Sequence, residues 1–241
     1  MVFGGNGFVG SAVLRRLAAM EGVEAVSVSR RGVAPPHAAP WAASVAWTAG
    51  DALDAATYAE ALRGAAAVVV SVGSPPVPGV DFEDQRRWNG ATNAAVVDAA
   101  RDATVPRAVL INATMPRWLD SVAGGYAAGK RDAEAAAAAF AAADGASAVV
   151  LKPSAVYGTR HTAGGTPIPL GLVLAPVSHG LRLAKPLCDR LAAAAPAAFD
   201  GLLDPPVPVD ALAATTVDAC FEARFDDALT VLGPADILAH A

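Results

Sequence analysis

Two rhythms of apolar residues alternate along this chain. The first is an apolar scrap, Met1-Val2-Phe3. Val9, Val13, Leu14, Leu17 and Met20 then recur at near-helical spacing, the pattern of a helix packed on a sheet. Residues 24–29 read as a second strand. That is strand, turn, helix and strand within about 30 residues, the length of one βαβ unit. The alternation continues with a strand over 44–48, a helix over 55–63 and a valine-rich strand over 66–72. An unbroken apolar run of this kind is expected where helices cover both faces of a sheet. Residues 73–79, with three prolines, read as a loop. A long helix over 82–103, a strand over 107–112, a helix over 125–143 and a strand over 146–151 complete the series. The expected fold class is therefore α/β: a doubly wound parallel Rossmann sheet flanked by helices.

The pattern loosens afterwards. Residues 158–169 are rich in glycine and proline, and 168–183 and 186–198 read as irregular helices. The apolar segment 168–183 reads as a helix covering the C-terminal lobe, with contact to a membrane or a partner as the alternative. A short strand over 205–209, a helix over 211–223 capped by Asp210, a strand over 229–232 and a helix begun by Pro234 close the chain. The expected division is a core over 1–157 and a short C-terminal lobe over 158–241 within the same structural unit.

Composition narrows the classes. With 241 residues the chain has room for one large α/β domain. Its 54% hydrophobic content is inflated by alanine, as in the run 132–143. No apolar run reaches the ~20 residues of a transmembrane helix. A net charge of −5 argues against a nucleic-acid surface. Cys188 and Cys220 lie far apart without ligand spacing, and the four histidines share no spacing, so no metal site is expected. Only three residues precede the first glycine turn, fewer than the ~5 of a usual strand. A start further upstream, with any transit peptide there, is expected.

The turn itself is Gly4-Gly5-Asn6-Gly7-Phe8-Val9-Gly10. Glycines 4, 7 and 10 form GxxGxxG between the first strand and the first helix. Such a turn lets a pyrophosphate approach the backbone, and the helix N-terminus aims its N–H groups at the anion. A nicotinamide dinucleotide follows as the expected ligand. The end of the second strand, where an NAD site places an acid, reads Ser29-Arg30-Arg31. Arginine there suits a 2′-phosphate, so NADP(H) is favoured over NAD(H); a solvated basic turn is the other reading. Asp51, after the third strand, stands where an adenine edge could be met, or caps the next turn, for which Asp54 is the better candidate. Val72 and Gly73 end the fourth strand beside the same crevice.

Tyr126-Ala127-Ala128-Gly129-Lys130 puts a phenol and an ammonium four residues apart on one helix face. The ammonium is expected to lower the phenol pKa from its reference near ~10, and Lys130 can hold a ribose. Tyr126 would then exchange the proton of an alcohol or carbonyl while a hydride passes to or from the cofactor. Thr114, at the end of the fifth strand, is a candidate for the substrate oxygen or a turn hydroxyl. Asn112, Asn89 and Asn93 are weaker polar candidates. Lys152-Pro153 begins the loop after the sixth strand, which should face the crevice, with Arg160 and His161 as polar lining.

Together, Gly4xxGly7xxGly10, the Asp51 loop, Tyr126xxxLys130 and the loop 152–158 resemble the extended or atypical short-chain dehydrogenase/reductase superfamily over nearly the whole chain. The stretches 2–10, 26–30, 125–134 and 206–210 resemble its organellar branch. That branch includes the short-chain-dehydrogenase-like protein of the mitochondrial coenzyme Q synthesis complex and plastid relatives. It is related to the NADPH-holding accessory subunit of respiratory complex I. The resemblance implies a mitochondrial or plastid protein with a bound nicotinamide cofactor, in an organellar complex, with structural or assembly roles. The usual serine of the catalytic set is Thr114 here. It lies closer to Tyr126 than in sugar-nucleotide epimerases, and no recognisable sugar-nucleotide site follows.

Overall fold

Seven parallel strands form the central sheet of the computed structural model, which describes residues 1–239 apart from 78, 163, 196–198 and 200. They are β1 (Val2–Phe3), β2 (Ala25–Ser29), β3 (Val45–Ala49), β4 (Val68–Val70), β5 (Arg107–Ile111), β6 (Ser147–Leu151) and β7 (Leu229–Leu232). Their spatial order is β7-β6-β5-β4-β1-β2-β3. The chain therefore runs outward from β1 to β3, returns to β4 on the other side, and runs outward again. The switch lies between β1 and β4, where Phe3 is in register with Val28 on one side and Val70 on the other. In such sheets ligands bind beyond the carboxyl ends of the strands at this point.

The apolar strands divide their side chains between two cores. Val109 and Ile111 pack with Val13, Leu14 and Leu17 of α1 (Phe8–Leu17) and with Leu212. The alternate residues Ala108 and Leu110 pack on the other face with Val96 and Val97 of Thr92–Asp102 and with Ala133, Ala137 and Phe140. This two-sided burial is why the strands read as unbroken runs rather than as alternating ones.

Several expectations are refined. The helix read over 55–63 is a 3₁₀ turn, Ala55–Thr57, and one α-turn, Ala59–Leu62. Asp54 caps it by accepting from Ala56 N–H, and the Thr57 hydroxyl donates to the Asp54 carbonyl at 2.6 Å. Such local side-chain bonds compete with a regular helix. The helix read over 82–103 comprises α2 (Phe82–Arg86), a π turn (Arg87–Ala91) and α3 (Thr92–Asp102). Helix α4 spans Gly124–Ala141, preceded by a turn, Leu119–Val122, that the pattern does not reveal.

The C-terminal segment departs most. Val156–Tyr157 pairs with Val207–Pro208, and Thr159–His161 forms an antiparallel hairpin with Pro167–Pro169. That pairing delays the helix expected from residue 168, so α5 spans Gly171–Leu183. Helix α6 is Lys185–Ala194, and residues 196–198 of the expected helix lie outside the described residues. Asp210 does not cap the helix α7 (Val209–Phe221): the strand runs directly into it, Pro208 is the N-cap, and the Asp210 carboxylate pairs with Arg15 at 2.6 Å. Nor does α5 cover a lobe, since Ser178 is its sole buried residue. Strand β7 joins the main sheet beside β6, and Pro234 begins the helix α8 (Pro234–Leu238).

Candidate functional site

The glycine turn joins β1 to α1 as its sequence requires. Gly4 has φ +82°, and its carbonyl accepts from Gly7 N–H at 2.8 Å. A Cβ on Gly4 would strike the Ser71 carbonyl, and one on Gly10 would strike the Gly4 carbonyl. Gly7, the N-cap of α1, provides no side-chain oxygen, and the first turn holds no acid. The helix end is thus left electropositive toward an anion. Asn6, half-buried, donates to the Val33 carbonyl at 2.8 Å, while Phe8 and Val9 pack against the core beneath.

A cleft of about 620 Å³ opens over the carboxyl ends of β1 to β4. It gathers Gly4, Ser29, Arg30, Asp51, Val72 and Gly73, all expected from sequence. Arg31 is exposed and lies outside the lining. Asp51 accepts from Leu53 N–H at 3.0 Å, holding the turn that forms one wall. Sequence reasoning missed the opposite wall, which is Arg87, Trp88 and Thr92. Arg30, just after β2, and Arg87, of the π turn, thus line one cleft.

Tyr126 and Lys130, the expected catalytic pair, are both buried and lie outside this lining, with Lys130 behind Gly73. A Cβ on Gly73 would lie 3.8 Å from Lys130 Nζ. Lys130 Nζ donates to the Ile111 carbonyl at 3.4 Å and stands 5.8 Å from the Tyr126 ring centroid. Burial lowers the Lys130 pKa to about 8 and raises that of Tyr126 to about 12. The expectation that the ammonium lowers the phenol pKa is thus not met. The cation lies over the ring face, and desolvation of both groups dominates. Tyr126 packs with Leu119, Ala123, Ala113 and Met115, which brings the segment around Thr114 beside it. Thr114 N–H donates to the Pro153 carbonyl at 2.9 Å.

Lys152 stands apart from the cleft lining. Its ammonium pairs with Glu134 at 3.0 Å, and its N–H bonds the Leu232 carbonyl. Asn112 donates to the Lys130 carbonyl at 3.2 Å and to Glu134 at 3.3 Å. These contacts fix α4 against the ends of β5 and β6. Asn89 accepts from Ser74 N–H at 3.1 Å, and Gln85 donates to the Val77 carbonyl at 2.6 Å, so the two pin the loop after β4. Arg160 and His161 sit on the hairpin, where His161 stacks on His37 with centroids 4.1 Å apart.

What sets the height of Tyr126 and Lys130 is a backbone crossing. A Cβ on Gly129 would lie 2.8 Å from the Arg86 carbonyl oxygen, and one on Gly90 2.8 Å from Gly129 Cα. Gly125 abuts the Phe82 backbone in the same way. The signal was legible as Gly125-x-x-x-Gly129 interleaved with Tyr126 and Lys130. A larger cavity of about 700 Å³ lies at the opposite end of the sheet, near Arg107. Its guanidinium is occupied by Ser147, the carbonyls of Ala219 and Glu222, and Asp226, which makes it a structural group.

The profile of the NAD-dependent epimerase/dehydratase family matches residues 1–177. A chloroplastic, uncharacterized protein of Arabidopsis thaliana is 37% identical over 239 residues, covering 96% of this chain and 74% of that protein. MIOREX complex component 2 of Saccharomyces cerevisiae is 42% identical over 77 residues, 30% of this chain and 27% of that protein. Among solved structures, UDP-glucose 4-epimerase from Brucella ovis in complex with NAD aligns with a TM-score of 0.64 at 20% identity, covering 99% of this chain and 80% of that one. MoeE5 in complex with UDP-glucose and NAD gives 0.63 at 21% identity, covering 96% and 74%. These structural likenesses carry the fold.

Proposed function

The chain belongs to the NAD-dependent epimerase/dehydratase family, and on that footing we propose that it is an NADP(H)-binding, short-chain-dehydrogenase-like organellar protein. In this reading the cofactor is held as a stabilising ligand, and the protein serves an accessory or assembly role linked to quinone biosynthesis or the respiratory chain. The observation that carries the cofactor choice is the basic adenosine end of the cleft. Arg30 follows the end of β2, the position at which NAD sites carry an acid, and Arg87 lines the same cleft, which supports this reading. A 2′-phosphate would meet two guanidinium groups there, and charge-assisted bonds of this kind are the strong ones. The organellar assignment draws on the chloroplastic Arabidopsis relative, and the complex role on the yeast MIOREX component.

Fluorescence titration with NADPH and NADH tests this reading. NADPH should bind at least about tenfold more tightly, since one charge-assisted bond contributes ~1.5–3 kcal/mol. Arg30→Asp should reverse or abolish the preference, and an unchanged preference refutes it. Saturating NADPH at a hundredfold its Kd should stabilise the fold by about 2.7 kcal/mol. Purification from organelles as a free monomer would count against the accessory role.

A second reading, an active oxidoreductase on a small or isoprenoid-like carbonyl, is favoured by the Tyr126–Lys130 pair. The nicotinamide would supply the hydride. Tyr126, whose proton burial retains, would donate it to the carbonyl oxygen. Lys130 would hold the ribose, with Thr114 on the substrate oxygen. Gly4, Gly7 and Gly10 with the α1 N-terminus would carry the pyrophosphate. Loss of turnover in Tyr126→Phe with NADPH affinity retained would support this reading. NADPH left unconsumed across a carbonyl and quinone panel would eliminate it.

A further inference from the structure

Helix α5 has an apolar composition, yet its larger side chains are mostly left exposed. Only Ser178 of its 13 residues is buried, and its hydroxyl donates to the Pro206 carbonyl at 2.7 Å. Leu172, Val173, Val177 and Leu183 are 76%, 70%, 46% and 73% exposed. At 100° per residue these four fall on one side of the helix. Leu187 and Leu191, 58% and 37% exposed, extend the apolar surface onto α6. Side chains of this size clustered in water mark an interaction surface.

The charge on this segment identifies the partner. From residue 158 to 195 the chain carries Arg160, Arg182, Lys185 and Arg190 against one acid, Asp189, which Lys185 holds at 2.8 Å. The chain as a whole has a net charge of −5. The exposed leucines are therefore flanked by cations on an otherwise acidic protein. A two-fold dimer through this face would bring the cations Arg182, Lys185 and Arg190 of both copies to one interface. An anionic lipid surface satisfies both features, with acyl boundary for the leucines and phosphates for the cations. Among the described residues no helix is long and apolar enough to cross a membrane, so the contact would lie along the surface. We propose that α5 and α6 dock this protein flat onto an anionic phospholipid bilayer.

Co-sedimentation with vesicles tests the proposal. The protein should pellet with vesicles containing phosphatidylglycerol and not with pure phosphatidylcholine, and the bound fraction should fall with salt. The double variant Leu172→Ser/Leu183→Ser should bind about tenfold more weakly or less. Arg182→Gln/Arg190→Gln should lose the preference for anionic vesicles. Unchanged far-UV circular dichroism and melting midpoint keep both variants interpretable, because neither alters a buried residue. Wild-type protein that stays in the supernatant with phosphatidylglycerol vesicles, or variants that pellet as wild type does, would overturn it. So would a concentration-dependent dimer dispersed by the leucine substitutions without any vesicle binding, which would assign the face to a second copy.

Discussion

Helix α4 buries nine of its 18 residues and α5 one of its 13, although both consist largely of small and aliphatic side chains. The difference lies in what faces them. On α4 the small residues meet a matching surface: Gly125 and Gly129 admit the backbone of α2 and the π turn, while Ala133, Ala137 and Phe140 enter the core over β5 and β6. On α5 Leu172, Val173, Val177 and Leu183 stay exposed, and the segment is tied down by the hydroxyl of Ser178. Apolar content therefore does not bury a helix; a complementary neighbour does. The same contrast separates their cations. Lys130 of α4 is buried and titrates near 8, whereas Lys185 beside α5 sits in solvent paired to Asp189.

Substitutions on the two helices should separate widely. Phe140→Ala removes a fully buried ring and should cost about 4 kcal/mol by urea denaturation. Gly129→Val forces the crossing apart and should cost about 3 kcal/mol, with loss of dinucleotide affinity in the same titration, because Tyr126 and Lys130 shift with it. If Gly129→Val were neutral, the crossing would not be what holds α4.

The next effect is pH-dependent. The folded pKa of Lys130, about 8, lies below its ordinary 10.5. Between those values the unfolded chain holds a proton that the folded chain lacks, so stability rises with pH across that window. Tyr126, raised to about 12 from 10.0, opposes this above about pH 10. Nucleotide-free protein should thus gain at most about 2.5 kcal/mol between about pH 8 and pH 10, and Lys130→Met should remove the rise. A flat profile in the wild type would place the ammonium in solvent. Smallest of all, Leu172→Ala on α5 should change stability by less than about 0.5 kcal/mol in the absence of vesicles. A loss near that of Phe140→Ala would mean that α5 is covered in solution.

Much of this was legible beforehand. The period of the apolar runs located all seven sheet strands, and Gly4, Arg30, Asp51 and Gly73, singled out from sequence, line one cleft while Gly7 and Gly10 do not, because strand burial and turn chemistry are written locally. The hairpin pairing Thr159–His161 with Pro167–Pro169 was not, since proline and glycine mark a loop without naming its partner. Asp210 looked like a cap because sequence could not show that Arg15, 195 positions away, would claim its carboxylate.

By itself the sequence determined the α/β class, the parallel sheet, the glycine turn and the spacing of Tyr126 to Lys130, each a property of neighbouring residues and of periodic burial. Only the tertiary structure decided that Arg87 shares a cleft with Arg30, that burial raises rather than lowers the Tyr126 pKa, and that α5 faces outward. Those depend on which distant surfaces meet, and desolvation and contact exist only once they have met.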